Sequence, residues 1–363
     1  MDCSKRLTQF LARRVINFNV RYDWQQPLPI FFMTKIFVTR NIPSIGLEML
    51  RKSGKANIEV YSEDAVIPRE TLLRKVKGVD ILISILTDKI DAEVMDAAGP
   101  QLHLIANYAV GFDNIDLQAA KERNITVSNA PTPEISESVA EHALALIFGL
   151  AHRIVESDQF ARDGKYHGWG PELLLGSDVV GKTLGIIGTG AIGSSLARRF
   201  HTGFGVRVLY HDMKRNEKLE AETSAQFVEN DELLQKSDFV SLHVPLLPST
   251  THLIGERELS LMKPTAFLIN TSRGPVIDTH ALVVALKRKQ IGGAGLDVYE
   301  CEPELACDLK DAQALKSFSN VIITPHTASA TVETRDAMSK QVALNILAFL
   351  DGKTPPNIVQ TTP

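Results

Sequence analysis

Apolar residues fall in short, nearly unbroken runs from Lys35 onward, at Ile36 to Thr39, Ile58 to Tyr61, Ile81 to Ser84 and Leu102 to Asn107. Polar stretches with helical spacing lie between them, near Ile45 to Lys52 and Arg69 to Lys77. Runs without in-out alternation suit strands covered on both faces, so the pattern predicts a parallel sheet between helices. Pro131-Thr-Pro133 interrupts it. Ser136-Glu-Ser-Val-Ala-Glu141 then opens a helix expected to run through His152 to Glu156, apolar enough to need burial on several sides. From Thr183 the alternation resumes. Strands are expected at Thr183 to Ile187, Val206 to Tyr210, Phe239 to Val244, Ala266 to Asn270, Ala294 to Val298 and Val321 to Thr324. Helices are expected near Glu229 to Lys236, Glu256 to Met262 and His280 to Lys289. A last helix, Val332 to Leu350, stops at Asp351-Gly-Lys and Pro355-Pro356. Six strands complete the second unit, so the tail is expected to return to the first. The fold class is therefore α/β, with domains at 33–131 plus 327–363 and at 132–326.

Residues 1–32 lack this pattern. Arg6, Arg13, Arg14 and Arg21 are scattered among apolar residues, and Trp24-Gln-Gln-Pro-Leu-Pro29 would stop any regular element. The segment is expected to lie outside the fold. It reads either as a basic targeting peptide, though with Asp2, Asp23 and little serine, or as sequence upstream of a true start at Met33.

One stretch changes the picture from architecture to chemistry. In Thr183-Leu-Gly-Ile-Ile-Gly188-Thr-Gly190-Ala-Ile-Gly193 an apolar strand breaks into glycines and resumes as a helix. Gly188 permits the turn and Gly190 lets backbone approach a pyrophosphate. Gly193 brings the helix close to the strand, and the first helical N–H groups, around Ala191 and Ile192, face the phosphates. The next strand ends at Asp212, where a carboxylate can accept hydrogen bonds from an adenosine ribose. A dinucleotide is expected here.

With 363 residues, 44% hydrophobic and 23% charged, the chain has enough material for two cores. A net charge of −4 offers no basic excess for a nucleic-acid backbone. Cys3, Cys301 and Cys307 form an odd set without CxxC, which fits a reducing, cytoplasmic setting and argues against a disulfide framework or a metal site. The longest uncharged apolar run, Ala143 to Ala151 between His142 and His152, is too short to span a bilayer.

Three polar residues each follow a strand of the second unit, where open α/β sheets place their ligands. Arg273 emerges from Phe267-Leu-Ile-Asn-Thr-Ser-Arg-Gly274 as a guanidinium fork suited to a carboxylate. Glu302 lies in Leu296-Asp-Val-Tyr-Glu-Cys-Glu-Pro303, and His326 follows Val321-Ile-Ile-Thr-Pro325. Taken singly, the acid reads as solvated and the histidine as structural. A histidine paired with a carboxylate, by contrast, can hold a proton near neutral pH.

These residues resemble the D-isomer-specific 2-hydroxyacid dehydrogenases, most closely the glyoxylate and hydroxypyruvate reductases. The resemblance runs from Met33 to about Asn357. It is carried by Asn107-Tyr-Ala-Val-Gly111-Phe-Asp-Asn-Ile-Asp116, the glycine turn, Ser241-Leu-His-Val-Pro245, Asn270-Thr-Ser-Arg-Gly274, Gly293-Ala-Gly-Leu-Asp-Val298, Glu302-Pro303 and Thr324-Pro-His326. It implies two doubly wound domains, Rossmann-like and flavodoxin-like, with the active site in the cleft between them. It also implies hydride transfer from NAD(P)H to a small 2-keto acid. Arg273 would bind the substrate carboxylate and carbonyl, His326 would be the acid/base and Glu302 its partner. Backbone N–H groups at Val110 and Gly111 would hold the carboxylate, and Asp297 with Thr271 and Ser272 would position the nicotinamide. A homodimer is implied too, consistent with a helix from Ser138 to Val155 too apolar for a solvent face. Phosphoglycerate dehydrogenase, D-lactate dehydrogenase and a dinucleotide-sensing corepressor are the alternatives. The chain departs from the family pattern at Phe112 and at Thr327-Ala-Ser-Ala-Thr331. In His211-Asp-Met-Lys-Arg215, Asp212 favours NADH, and Lys214 and Arg215 would admit NADPH only by turning inward.

Overall fold

The computed structural model describes residues 33–300, 302 and 309–359. The segment 1–32 and all three cysteines lie outside the described residues. Five parallel strands form the first sheet: β1 (Thr34–Val38), β2 (Ala56–Val60), β3 (Ile81–Ile85), β4 (Leu104–Tyr108) and β5 (Thr126–Ser128), in the order β2-β1-β3-β4-β5. Helices α1 (Ser44–Ser53), α2 (Arg69–Lys75), α3 (Ala92–Ala98) and α4 (Leu117–Glu122) connect them. Strand β1 shows why its residues read as an unbroken apolar run. Ile36 and Val38 enter one core with α1, while Phe37 enters the opposite core with α2 and α3. Helices α3 and α4 and strand β5 escaped the sequence reading. Each helix is short and starts on an aspartate that accepts the backbone N–H three residues on, Asp91 from Val94 and Asp116 from Ala119.

Helix α5 (Pro133–Ala151) leads away from this sheet, and α6 (Ile154–Arg162) follows at an angle of 59°. The sequence predicts one helix through His152 to Glu156, and the structure corrects that. Arg153 sits in the left-handed region at φ 52°, with its guanidinium on Glu156 at 2.8 Å. The chain at Gly176 returns against the helix end, where Ser177 N–H donates to the Ala151 carbonyl at 2.8 Å. A side chain on Gly176 would collide with that carbonyl. Helix α5 also corrects the reason for expecting a partner there. Ile135 and Val139 pack in the core of the first sheet and Ala143, Leu146, Ile147 and Leu150 in that of the second, so its apolar surface is used within one chain. Exposed apolar side chains follow it, among them Ile154, Val155, Trp169, Leu175 and Val180.

The second sheet is also parallel. It contains β6 (Thr183–Ile187), β7 (Arg207–His211), β8 (Gln226–Phe227), β9 (Phe239–Leu242), β10 (Phe267–Asn270), β11 (Gly293–Leu296) and β12 (Val321–Ile323), ordered β12-β11-β10-β9-β6-β7-β8. Among the described residues it has seven strands rather than six, because the two-residue β8 is too short to show as an apolar run. Helices α7 (Ala191–Phe204), α8 (Glu217–Thr223), α9 (Asn230–Lys236), α10 (Glu256–Leu261), α11 (Thr279–Lys287) and α12 (Leu309–Ser317) cover its faces. Helix α13 (Val332–Leu350) crosses back to the first sheet, where Met338, Val342, Ala343 and Ile346 join the α1 core. Gly46 on α1 lets the Ser339 backbone approach so closely that any Cβ would collide with it. Both strand orders are doubly wound. Their chain reversals fall between β1 and β3 and between β6 and β9, which opens crevices at the carboxyl ends of both sheets.

Candidate active site

Loops from the carboxyl ends of both sheets meet in one cavity of about 450 Å3, whose lining includes Gly111, Ile192, Arg273, Asp297 and His326. Ile192, which lines it, belongs to the first turn of α7, and the glycine turn lies just before that helix. Gly188 has φ 94°, and a side chain there would strike the His243 carbonyl. Gly193 lies against the Gly188 carbonyl, which only a residue without Cβ allows. A Cβ on Gly190, by contrast, would meet nothing within 4 Å, so this glycine faces open space where a ligand can approach the backbone. Ala191 and Ile192 open α7 beside it. Asp212 follows β7 close by, its Oδ2 accepting from the Thr189 N–H at 2.7 Å and the Thr189 hydroxyl at 3.0 Å. Lys214 is exposed, and Arg215 turns to Glu220, with Nη2 on Oε2 at 2.8 Å.

At the other end stand the three residues that follow strands β10, β11 and β12. Glu302 Oε2 lies 2.7 Å from His326 Nδ1, so the carboxylate accepts from Nδ1–H and leaves Nε2 as the ring nitrogen open to a ligand. His326 itself has φ 52°, a conformation that costs a non-glycine residue about 1–3 kcal/mol and persists only where its surroundings enforce it. Asp297 enforces it. Fully buried, it accepts from the Thr324 hydroxyl at 2.6 Å and from the Thr327 and Ala328 N–H groups at 2.8 Å each, while its carbonyl accepts from the His326 N–H at 2.9 Å. Because the Thr324 hydroxyl proton goes to Asp297, His142 Nε2 on α5 must be the donor in its 3.0 Å contact with Thr324 Oγ1. The carboxylate of Asp297 thus lies under the histidine loop.

Arg273 lies across the cavity from the first sheet. Its Nη1 donates to the Ser272 carbonyl at 2.8 Å and its Nε to Asp113 Oδ1 at 3.0 Å. A Cβ on Gly111 would sit only 1.7 Å from Nη2, so this glycine makes room for the fork. The loop carrying Val110 and Gly111 is fixed from behind. Asn107 Nδ2 donates to the Gly111 carbonyl at 2.9 Å, and Asn129 Nδ2 to the Val110 carbonyl at 2.7 Å. Thr271 Oγ1 is buried beside the fork with no hydrogen-bond partner, and Ser272 is tied to Asn270 through N–H and hydroxyl. His243 also borders the cavity. Burial pushes its imidazole down to about 4, and its Nε2 lies 2.9 Å from Ser241 Oγ.

Residues 144–328 match the family model described as D-isomer specific 2-hydroxyacid dehydrogenase, NAD binding domain. The chain belongs to the D-isomer-specific 2-hydroxyacid dehydrogenases. Among its relatives, the glyoxylate reductase of Thermococcus gammatolerans is 47% identical over 329 residues, covering 90% of this chain and 95% of its own. The TT0316 protein of Thermus thermophilus superposes with TM-score 0.82 at 42% identity, covering 90% of this chain and all of the other. A glyoxylate reductase of Paecilomyes thermophila gives TM-score 0.78 at 31% identity, with 92% and 99% covered.

A nicotinamide dinucleotide is the cofactor of this dehydrogenase family, and the residues present fit one. Open space over Gly190, the carboxylate at the end of β7 and the unpartnered Thr271 hydroxyl lie where diphosphate, ribose and nicotinamide would need a close backbone, an acceptor and a donor. Every site residue expected from the sequence borders the cavity or the glycine turn, except Glu302, which reaches it through His326. Asp113, Asn107 and His142 were not singled out. Asp113 and Asn107 lie inside the quoted Asn107 to Asp116 motif, so that motif was the available signal. For His142, in the middle of an apolar helix, no signal distinguished it from a buried structural histidine.

Proposed function

We propose that this dehydrogenase reduces a small 2-keto acid, glyoxylate or hydroxypyruvate, to glycolate or D-glycerate. One observation carries the reading: a carboxylate-backed imidazole and a guanidinium fork share one cavity with Ile192, in the first turn of the helix that the glycine turn opens. The terminal nitrogens of Arg273 and the N–H groups of Val110 and Gly111 hold the substrate carboxylate, which sets the keto carbon at a fixed place. A bound dihydronicotinamide supplies the hydride. As charge grows on the keto oxygen, His326 gives it the proton from Nε2 and Arg273 steadies it, while Glu302 holds the ring in orientation through Nδ1. Thr271, Ser272 and Asp297 border the nicotinamide end. In this reading 33–131 with 327–363 form the substrate lobe and 132–326 the NAD lobe.

NADH is the preferred cofactor. Asp212 accepts hydrogen bonds where ribose hydroxyls arrive and repels a 2'-phosphate, and of the two cations that could offset it Arg215 is held by Glu220 and Lys214 is exposed to solvent. The exposed apolar residues of α6 and the segment after it fit a homodimer, and the cysteine usage fits the cytoplasm. Initial rates for glyoxylate, hydroxypyruvate, phosphohydroxypyruvate and pyruvate, each with NADH and NADPH, test the whole reading. The first two should lead. Preference for phosphohydroxypyruvate or pyruvate would move the substrate assignment, and no turnover with any of them would favour a dinucleotide-binding protein instead.

A further inference from the structure

Arg273 has two edges by which a guanidinium can grip a carboxylate: one formed by Nε with Nη2, the other by the two terminal nitrogens. In this structure the first edge is already engaged, because Nε donates to Asp113 Oδ1 at 3.0 Å, whereas on the second Nη1 gives one of its two hydrogens to the Ser272 carbonyl at 2.8 Å and keeps the other. The partner is no stray surface acid. Asp113 lies on the loop after β4, and 160 positions of chain separate it from Arg273. Its loop is braced independently of the arginine. Asn107 Nδ2 binds the Gly111 carbonyl and Asn114 Oδ1, and Asn114 Nδ2 binds the Ile85 and Asp88 carbonyls at 3.1 Å. The backbone that carries Asp113 is therefore set before any ligand arrives, and its carboxylate, 41% exposed, is held by Arg273 Nε. Arg273 side-chain exposure is 24%, and Gly111 backs its Nη2, so the fork has little freedom to turn.

The geometry points to Asp113 as a positioning residue that chooses which edge of Arg273 meets the substrate, leaving the two terminal nitrogens as the binding edge. This rests on the reading of Arg273 as the carboxylate ligand. The carboxylate also carries a cost: its charge lies beside the cation that must attract an anion. The two effects have opposite signs. If Asp113 did no more than neutralise Arg273, removing it would strengthen carboxylate binding. If it orients the fork, removing it weakens binding, and an uncharged acceptor of the same shape restores much of the loss.

The test is the dissociation constant of oxalate, a planar dicarboxylate that cannot be reduced, from the full-length enzyme saturated with NADH, for wild type, Asp113→Ala and Asp113→Asn. NADH affinity and thermal midpoint serve as fold controls. Loss of a hydrogen bond to a charged group is worth about 1.5 kcal/mol or more, so Asp113→Ala should weaken oxalate by about tenfold or more. Asp113→Asn should weaken it less, by about threefold or under. In turnover the Ala variant should show a raised KM and a lowered kcat together, since a misplaced carboxylate misplaces the keto carbon. Oxalate binding to Asp113→Ala at wild-type strength or tighter overturns the proposal. So does an Asn variant as weak as Ala. Should Ala alone lose its NADH affinity or thermal midpoint, the Asn and wild-type values decide, with a loss above about tenfold in Asn counting against orientation by an acceptor. Because the readout is binding, failure of wild type to reduce glyoxylate would remove the substrate assignment and leave this test standing.

Discussion

At the dinucleotide end of the cavity the chain works with backbone. Gly188, Gly190 and Gly193 fall within six residues of chain, Asp212 follows the adjacent strand, and open space over Gly190 shapes the surface. The reducing end works with charge assembled from far-apart loops, Arg273 after β10, Glu302 after β11, His326 after β12 and the braced 107–114 loop from the other sheet. Backbone is suited to an extended ligand whose own shape does most of the recognition. Charge at fixed positions is suited to a small ligand whose reacting atom must be placed within a fraction of an ångström. The two ends should therefore fail separately when mutated.

The largest effect is expected for Arg273→Ala. With the fork gone, kcat/KM for glyoxylate should fall by about a hundredfold or more, since an orienting charge and an oxyanion stabiliser go together. NADH affinity should hold, and a joint loss would break the separation. Gly111→Ala comes next. The new methyl would displace the ends of two side chains, Arg273 and Asp113, and no backbone, so the fold should survive while misplacement costs up to about a hundredfold in kcat/KM. Glu302→Gln keeps an acceptor for His326 Nδ1 and removes its charge, so a loss on the order of tenfold is expected.

At the other end, Asp212→Ser should leave glyoxylate kinetics with saturating NADH nearly alone and narrow the preference over NADPH. That preference is expected at about tenfold or more in kcat/KM, equivalent to about 1.4 kcal/mol. A wild type that prefers NADPH would show that Lys214 and Arg215 decide the pocket. The smallest effect concerns stability. His243 is held neutral to about pH 4 by burial, against 6.5 when unfolded. The unfolded chain thus takes up a proton that the folded one refuses, so stability is lost as pH falls from 6.5 toward 4 and is unaffected above that window. His243→Gln should flatten the fall in thermal midpoint across it.

Legibility followed the same division. Gly188, Gly190, Gly193 and Asp212 could be read from spacing, because a tight turn and a ribose acceptor impose fixed intervals on neighbouring residues. Strand runs such as Ile81 to Ser84 were legible because burial on both faces removes polar residues from them. The role of Glu302 became readable only through resemblance, since a lone acid in a loop carries no mark of the histidine it will meet. The partners of Asp113 and His142 were illegible for a related reason: they are set by tertiary approach, across 160 positions for the first and 182 for the second. The break between α5 and α6 was missed because Arg153 enters the left-handed region without a glycine or proline to announce it.

The most direct test of a charged reducing centre separable from its dinucleotide cradle is a pair of readings on His326→Ala: its single-turnover rate on glyoxylate and its NADH dissociation constant. The expected result is a rate lowered by about a hundredfold or more, the lower end for loss of a positioned acid, with NADH affinity within about twofold of wild type. Turnover near the wild-type rate would contradict the assignment of the proton to His326, and loss of NADH affinity in step with the rate would contradict the division of the cavity.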